Sequence, residues 1–479
     1  MATTENNIHI TCKPWQILLW PLHSTTSSFF YILTMFMGYI ATGGYGIAVA
    51  TAGMIATGTR LFDGIVDPFV AMFTDRIQSK FGRVRILIVL GRGIQALSCF
   101  AMYYWGLGGG AVVYTLIYMV YIVGGTISSI ATHTGNPVLT NDPKQRPKIF
   151  RWQMIYSTTI GAAFQIFLSK VLVPRHGGLN VELFQEICIW VVVLSAVFEL
   201  LACIAITPSD KPENFPKKRN KKNVNLLDTW HLLKDNRAMQ MYIISGVSDK
   251  VASNAASQAA ITTLIYGVII ANYGFSGTVS GYSMIPNILF LLFGTQLMTK
   301  SGTKRSLVTW TAITTVLCGV MVAFMALTDP TAISVSPLPT AIFIGLMLLY
   351  GASRNMTSAA TNAVVPDIVD YEFYRSGNFI PGAVGTLYSF VDEMTSSLST
   401  TIVGFCLAAV GYVTIQPQPG DPCTTAIFWM AMFLWMGLPI IGYLCTLVAM
   451  KWYPLDRETM EKVQMANKAA REEAKAAKS

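Results

Sequence analysis

Three ionisable residues share one face of an apolar stretch. In Arg60-Leu-Phe-Asp63-Gly-Ile-Val-Asp67-Pro68 the charges fall at i, i+3 and i+7, so on an α-helix they project to one side. The stretch that contains them, from Gly46 to Thr74, is mainly apolar and otherwise uncharged. An ionised side chain at mid-bilayer costs roughly 2.5–3.5 kcal/mol on the insertion scale. Three on one face must therefore meet protein, water or an ion. Reversible binding of a cation or a proton suits them. An Arg60–Asp63 ion pair that only locks helix to helix is the bland alternative, and it leaves Asp67 over.

Other polar groups fall at membrane depth. The first apolar segment carries His23, Thr25, Thr26, Ser27 and Ser28. His23 is expected to face a cavity, while Ser and Thr can bond back to their own helix. Ser129 and His133 follow near the end of the fourth segment, and Arg151 opens the fifth. In the seventh, Asn254 and Gln258 stand at i and i+4, a shared face that can read a polar ligand or bond a neighbouring helix. Arg354 in the tenth segment and Asp392 and Glu393 in the eleventh are expected to line a cavity. Arg92 reads as structural, and Glu199 has no partner that the sequence names.

The elements that must position these groups are membrane spans. Of the 479 residues 53% are apolar and only 12% charged, with a mean hydropathy of +0.49. A soluble domain carries about twice that share of charge. Twelve segments of bilayer-crossing length are expected, the first near 16–41 and the last near 424–451. The connections alternate in charge: 75–85, 135–152 and the long middle loop hold clusters of Lys and Arg, whereas most of the opposite set holds none. The positive-inside rule puts both termini in the cytoplasm. The net charge of +9 is thereby explained by topology, not by nucleic acid. Met1–Lys13 is polar, so no cleavable leader is expected there.

The chain is thus expected to be an all-α polytopic membrane protein, with twelve transmembrane helices in two six-helix halves. The halves are 1–207 and 239–451, joined by a cytoplasmic linker, 208–238, and followed by a solvated tail, 452–479. Weak echoes at an offset of roughly 220 residues fit such a duplication. The eight cysteines form no CxxC pair and read as small apolar residues. No phosphate-cradling loop and no His/Cys set with metal spacing is found, so no cofactor and no metal are expected.

Two motifs resemble a known family. Asp63-x3-Asp67-Pro68 with Asp75-Arg76 and Gly82-Arg83, and Pro366-Asp367-Ile-Val-Asp370-Tyr371-Glu372-Phe373 with Gly377, Gly382 and Leu387-Tyr388-Ser389-Phe390, look like the glycoside–pentoside–hexuronide:cation symporters of the major facilitator superfamily. The resemblance implies a sodium site on Asp63 and Asp67, with Arg60 at a matching position. The family's Asn ligand falls at Val66, and its Thr of span four falls near Ile122. With both neutral oxygens lost, a proton is preferred over Na⁺ as coupling ion, because hard cations need several oxygens. The sugar-binding acids also depart. Those of spans one and four fall near Ser27 and Gly125, the Lys of span eleven falls at Glu393, and Arg151 matches.

The expected function is cation-coupled symport of a small polar solute, with a sugar, glycoside or uronide as the family's prior. Substrate contacts are expected from His23, Ser27, Ser129, Arg151, Asn254, Gln258, Arg354, Tyr388, Asp392 and Glu393. Asp75, Arg76, Gly82 and Arg83 are expected to latch the cytoplasmic face. The protein is expected to sit in the cell membrane among lipid, as a monomer. An anionic or non-sugar solute, and a solute sensor without flux, are the alternatives. An enzyme is not expected, since no nucleophile and base converge.

Overall fold

The computed structural model describes residues 11–74, 81–140, 142, 145–211, 234, 236–376, 395 and 397–476. Every regular element among them is helical. Contacts divide the chain into two units. The first gathers the described residues of Met1–Asn220 with Tyr273–Gly281 and Gly404–Asp421, and the second those of Lys221–Asn272, Tyr282–Val403 and Pro422–Ser479.

In the first unit the opening apolar segment is broken into α1 (Pro14–Leu19), α2 (Pro21–Met35) and α3 (Met37–Tyr45). Pro21 starts α2, where a missing N–H costs nothing. Then come α4 (Val49–Thr74), α5 (Arg83–Trp105), α6 (Gly110–Leu139), α7 (Lys148–His176) and α8 (Val181–Ile206). Helices α5 and α6 touch at glycines. A Cβ on Gly91 would stand 2.5 Å from Ser128 Oγ, and one on Gly124 would stand 2.8 Å from the Gly91 carbonyl oxygen. This backbone-to-backbone approach closes α5 on α6. Trp20, Leu87, Ile88, Ala131 and Ala205 fill the core around it.

The N-terminus of α5 is held by a residue from the expected linker. Asp210, buried, accepts the N–H groups of Arg83 and Val84 on Oδ1 at 3.0 and 3.2 Å, and that of Arg85 on Oδ2 at 3.0 Å. A carboxylate here satisfies amides that the helix leaves open and faces the positive end of its dipole. Gly82 adopts φ +87°, and a Cβ there would meet Asp210 Oδ2 at 2.1 Å. The first residues after Ile206 are therefore part of this unit's framework.

Later in the chain lie α9 (Arg237–Ala256), α10 (Ala259–Ile269), α11 (Gly274–Ser301), α12 (Thr303–Leu327), α13 (Pro337–Ser376), α14 (Ser397–Ala409), α15 (Thr425–Trp452) and α16 (Arg457–Ala476). A core of Tyr242, Leu307, Ala360, Val364, Met450 and Tyr453 holds the second unit, and Met460 of α16 joins it. The tail is thus more than a solvated end. Met460, Val463 and Asn467, at i, i+3 and i+7, are all buried, and Asn467 Nδ2 donates to the Asp370 carbonyl at 2.8 Å. The sequence hid this because Ala, Lys and Glu dominate the other faces of α16.

Six of these helices, α5, α6, α7, α8, α12 and α15, are long and apolar enough to cross a membrane; α10 with the start of α11, bent by 116°, would make a seventh. Helix α4 has 26 residues, about 39 Å of helix, but its three charges lower its hydropathy.

Candidate functional site

Helix α4 presents Asp63 and Asp67 to α6. The Thr126 hydroxyl lies 3.0 Å from Asp63 Oδ1 and 2.9 Å from Asp67 Oδ1. One hydroxyl has one hydrogen, so the two carboxylates compete for it or share it in a weaker three-centre bond. The other contact is filled if a proton sits on an aspartate, or if a cation lies among the three oxygens. Arg60 lies within electrostatic range of Asp63 and of the hydroxyls of Tyr31, Tyr118 and Tyr121. All three α4 charges are half-buried.

The resemblance puts the family's threonine near Ile122, a buried apolar residue whose side chain has no oxygen. Thr126 stands four residues on, one helical turn, and therefore on the same face. Its place in the same helix was the signal available in the sequence. Val66 still supplies no side-chain oxygen.

His23 does not face a cavity. It is fully buried, with Nδ1 2.7 Å from Glu199 Oε2 and Nε2 3.2 Å from the Ser128 carbonyl oxygen. Glu199, which lacked a partner in the sequence reading, also accepts from Arg92 Nε at 2.7 Å. Arg92 donates on to Gln95 Oε1 and to Ser27 Oγ, at 2.7 and 2.6 Å. Ser27, for all its exposure, is thus tied to α5. Ser129 and Arg151 are exposed side chains, and the site at Thr126 does not include them.

The second unit has its own polar cluster. Arg354 on α13 donates to Ser253 Oγ, and to Ser257 Oγ at 3.4 Å. Tyr350 and Tyr443 lie within electrostatic range of both Arg354 and Asp249 of α9. Asn355 Nδ2 donates to Asn287 Oδ1 at 3.3 Å. The expected shared face of Asn254 and Gln258 does not form, because the helix breaks between them. Ser257 ends α9, and Gln258 is extended (φ −68°, ψ 147°) at the cap of α10. Gln258 Nε2 is buried there without a hydrogen-bond partner. A broken helix with an unspent donor is a recurrent way of building a solute site at membrane depth.

Gly82 and Arg83 belong to the Asp210-capped turn described above. Asp75, Arg76, Tyr388, Asp392 and Glu393 lie outside the described residues.

The chain is 24% identical over 456 residues to a putative glycoside/cation symporter of Escherichia coli, covering 92% of each chain. It is 20% identical over 438 residues to the isoprimeverose transporter of Lactiplantibacillus pentosus, covering 89% of this chain and 86% of that one. Among solved structures, a mutant of the nucleoside transporter NupG superposes with a TM-score of 0.60 at 14% identity, covering 92% of this chain and 97% of that one. A bacterial homologue of the iron transporter ferroportin, in an inward-facing state, gives 0.60 at 13% identity, covering 92% and 98%. These two show a shared fold. Residues 22–457 match the family described as MFS/sugar transport protein, and the chain belongs to that family: it is an integral membrane transporter of the glycoside–pentoside–hexuronide:cation symporter group.

Proposed function

We propose that the protein is a proton-coupled symporter for a small polar solute with sugar-like hydroxyls, a sugar, glycoside or uronide. Asp63 and Asp67 carry the coupling ion, with Thr126 as the third oxygen and Arg60 tuning the field from the same face. The observation that carries this reading is the single Thr126 hydroxyl set between two carboxylate oxygens. That arrangement leaves a contact that one proton or cation can fill. A proton needs one oxygen, whereas Na⁺ calls for several, and Val66 leaves the set at three side chains. Thr126 itself favours the second reading, Na⁺ coupling, since it restores one neutral oxygen. The names of the relatives support a glycoside-like solute. In the second unit Arg354 with Ser253 and Ser257, and the free amide of Gln258, supply donors for solute hydroxyls or for a carboxylate; a uronide carries both. An anionic or non-sugar solute, or a sensor without flux, are the other readings.

In this proposal twelve spans in two six-helix halves work by alternating access, with both termini in the cytoplasm and the protein as a monomer. Energy comes from the ion gradient, so no cofactor takes part. The test is uptake by purified protein in liposomes. A panel of sugars, glycosides and uronides is offered under a pH gradient or a Na⁺ gradient. Accumulation driven by the pH gradient supports the first reading and accumulation driven only by Na⁺ the second. Accumulation that survives with Asp63 and Asp67 both neutralised would overturn the site. Solute binding with no flux under any gradient would leave the sensor.

A further inference from the structure

Glu199 is buried in α8 with both oxygens engaged. Oε1 takes the Arg92 Nε–H and the hydroxyl of Thr26, and Oε2 faces His23 Nδ1 at 2.7 Å. The other ring nitrogen of His23, Nε2, faces the Ser128 carbonyl oxygen at 3.2 Å. Both partners accept, and a neutral ring has one N–H, so it can serve only one of them. The Nδ1–H tautomer donates to Glu199 and leaves the Nε2 lone pair facing the Ser128 carbonyl oxygen; the Nε2–H tautomer does the reverse and leaves a lone pair against the carboxylate. The 2.7 Å distance is that of a charge-assisted N–H···O bond. Both contacts become hydrogen bonds only with one more proton, on the ring or on Glu199.

We propose that the His23–Glu199 pair is a second proton-binding site, holding one exchangeable proton at neutral pH, apart from Asp63 and Asp67. The ligand is H⁺ itself. Two demands oppose each other in the cluster. With the extra proton every contact is a hydrogen bond, but Arg92, Glu199 and His23 together bury one net positive charge. Without it the cluster is neutral, but two lone pairs collide. The two costs oppose each other, which is what makes the proton exchangeable in this proposal.

The surroundings limit what else can titrate. From α2 the cluster meets Thr26 and Ser27, and from α5 Arg92 and Gln95. The indole of Trp20 lies 5.5 Å from the His23 ring. From α6 Tyr121 is within range of Arg92, and from α8 Cys203 is within range of Glu199. The Arg85–Asp210 pair is the next charge pair along, sensed at Cys203. The position also has a consequence for transport. Ser128, whose carbonyl takes the His23 N–H, lies two residues from Thr126. One turn of α6 therefore touches both proton sites, and loss of the bond at His23 frees the turn that carries Thr126.

The experiment uses the full chain in lipid nanodiscs at neutral pH. Histidine ring nitrogens are labelled with ¹⁵N for solid-state NMR, and carboxyl bands are followed by infrared difference spectroscopy. The expected result is one shared proton, seen either as a doubly protonated His23 ring or as a protonated Glu199 carboxyl. It should disappear in His23→Gln, persist in Asp63→Asn/Asp67→Asn, and titrate away reversibly as the pH is raised. A singly protonated His23 ring beside an ionised Glu199 in the native protein overturns the proposal, as does loss of the signal when only the aspartates are changed, or a signal indifferent to pH. If His23→Gln does not fold, Glu199→Gln makes the assignment, and the native spectrum by itself still separates the outcomes.

Discussion

The Thr126 hydroxyl on α6 stands 2.9 Å from Asp67 Oδ1 on α4. The same atom is 3.0 Å from Asp63 Oδ1, so a single neutral oxygen links two acids across two helices. Hydrogen bonds to charged groups contribute about 1.5–3 kcal/mol. Thr126→Val is therefore expected to weaken coupling-ion affinity by roughly 10- to 100-fold, while Thr126→Ser keeps most of it. Asp67→Asn is expected to abolish gradient-driven accumulation yet leave solute exchange. Initial rates of uptake against ion concentration give the first figure, and counterflow in the same liposomes gives the second. Native ion affinity in Thr126→Val would remove Thr126 from the site.

Gly91 tests the close contact between α5 and α6. A methyl group there would meet Ser128 Oγ at 2.5 Å and the Ser128 backbone nitrogen at 2.8 Å. Backbone cannot give way as a flexible side chain does, so Gly91→Ala must part α5 from α6. Overpacking of this kind costs about 1–3 kcal/mol. A lower melting temperature is expected in detergent, with reduced transport. Gly93, where nothing lies within 4 Å of the added Cβ, is the control, and Gly93→Ala should behave as the native protein does.

Asp210 gives a sharper structural prediction. Its carboxylate takes three backbone N–H groups and Arg85 Nε, the last at 3.3 Å. Asp210→Ala leaves those donors unsatisfied at a buried helix start, for a loss of about 1–3 kcal/mol. Asp210→Asn retains an acceptor and should lose less. Thermal unfolding monitored by tryptophan fluorescence compares them; equal melting points for the native protein and Asp210→Ala would refute the capping role.

The docking of α16 is open to proteolysis. Val463 is 1% exposed, so Val463→Asp buries a carboxylate with no partner and should release the helix. Protease cleavage within 457–476 is expected to quicken at least tenfold, by the population of the open form, without loss of the membrane-embedded core.

The start of α16 should also respond to acid. Hydrogen bonds from the Thr459 hydroxyl and backbone N–H hold the Asp456 carboxyl below its usual range. A depressed carboxylate contributes stability that is present above its unfolded pKa and lost as pH falls through the folded one. The cap should therefore be intact at neutral pH and fail on acidification below about pH 4. Hydrogen exchange at the Thr459 amide, compared with an α16 amide beyond the first turn, follows it. The expected result is a selective loss of protection at Thr459 in acid.

Much of this protein follows from composition and spacing alone. Apolar segments of bilayer length must become helices, because lipid offers backbone groups no other partner. Charges inside such segments are too costly to be incidental, which singles out Arg60, Asp63 and Asp67 as residues that need a partner. Periodicity also placed them on one face. What it could not supply was the partner across the gap. Thr126 is one of many threonines in apolar helices, and only the packing of α4 on α6 selects it. The same holds for His23, Arg92 and Glu199, which are far apart in the chain and meet only because glycines let α5 and α6 close and α2 and α8 pack beside them. Helical spacing failed at Asn254 and Gln258 because it assumes an unbroken helix, and the break at Ser257 is a tertiary outcome. Sequence decided which residues had to be satisfied; the tertiary structure decided by whom, since a pairing energy exists only between groups that folding brings within a few ångströms.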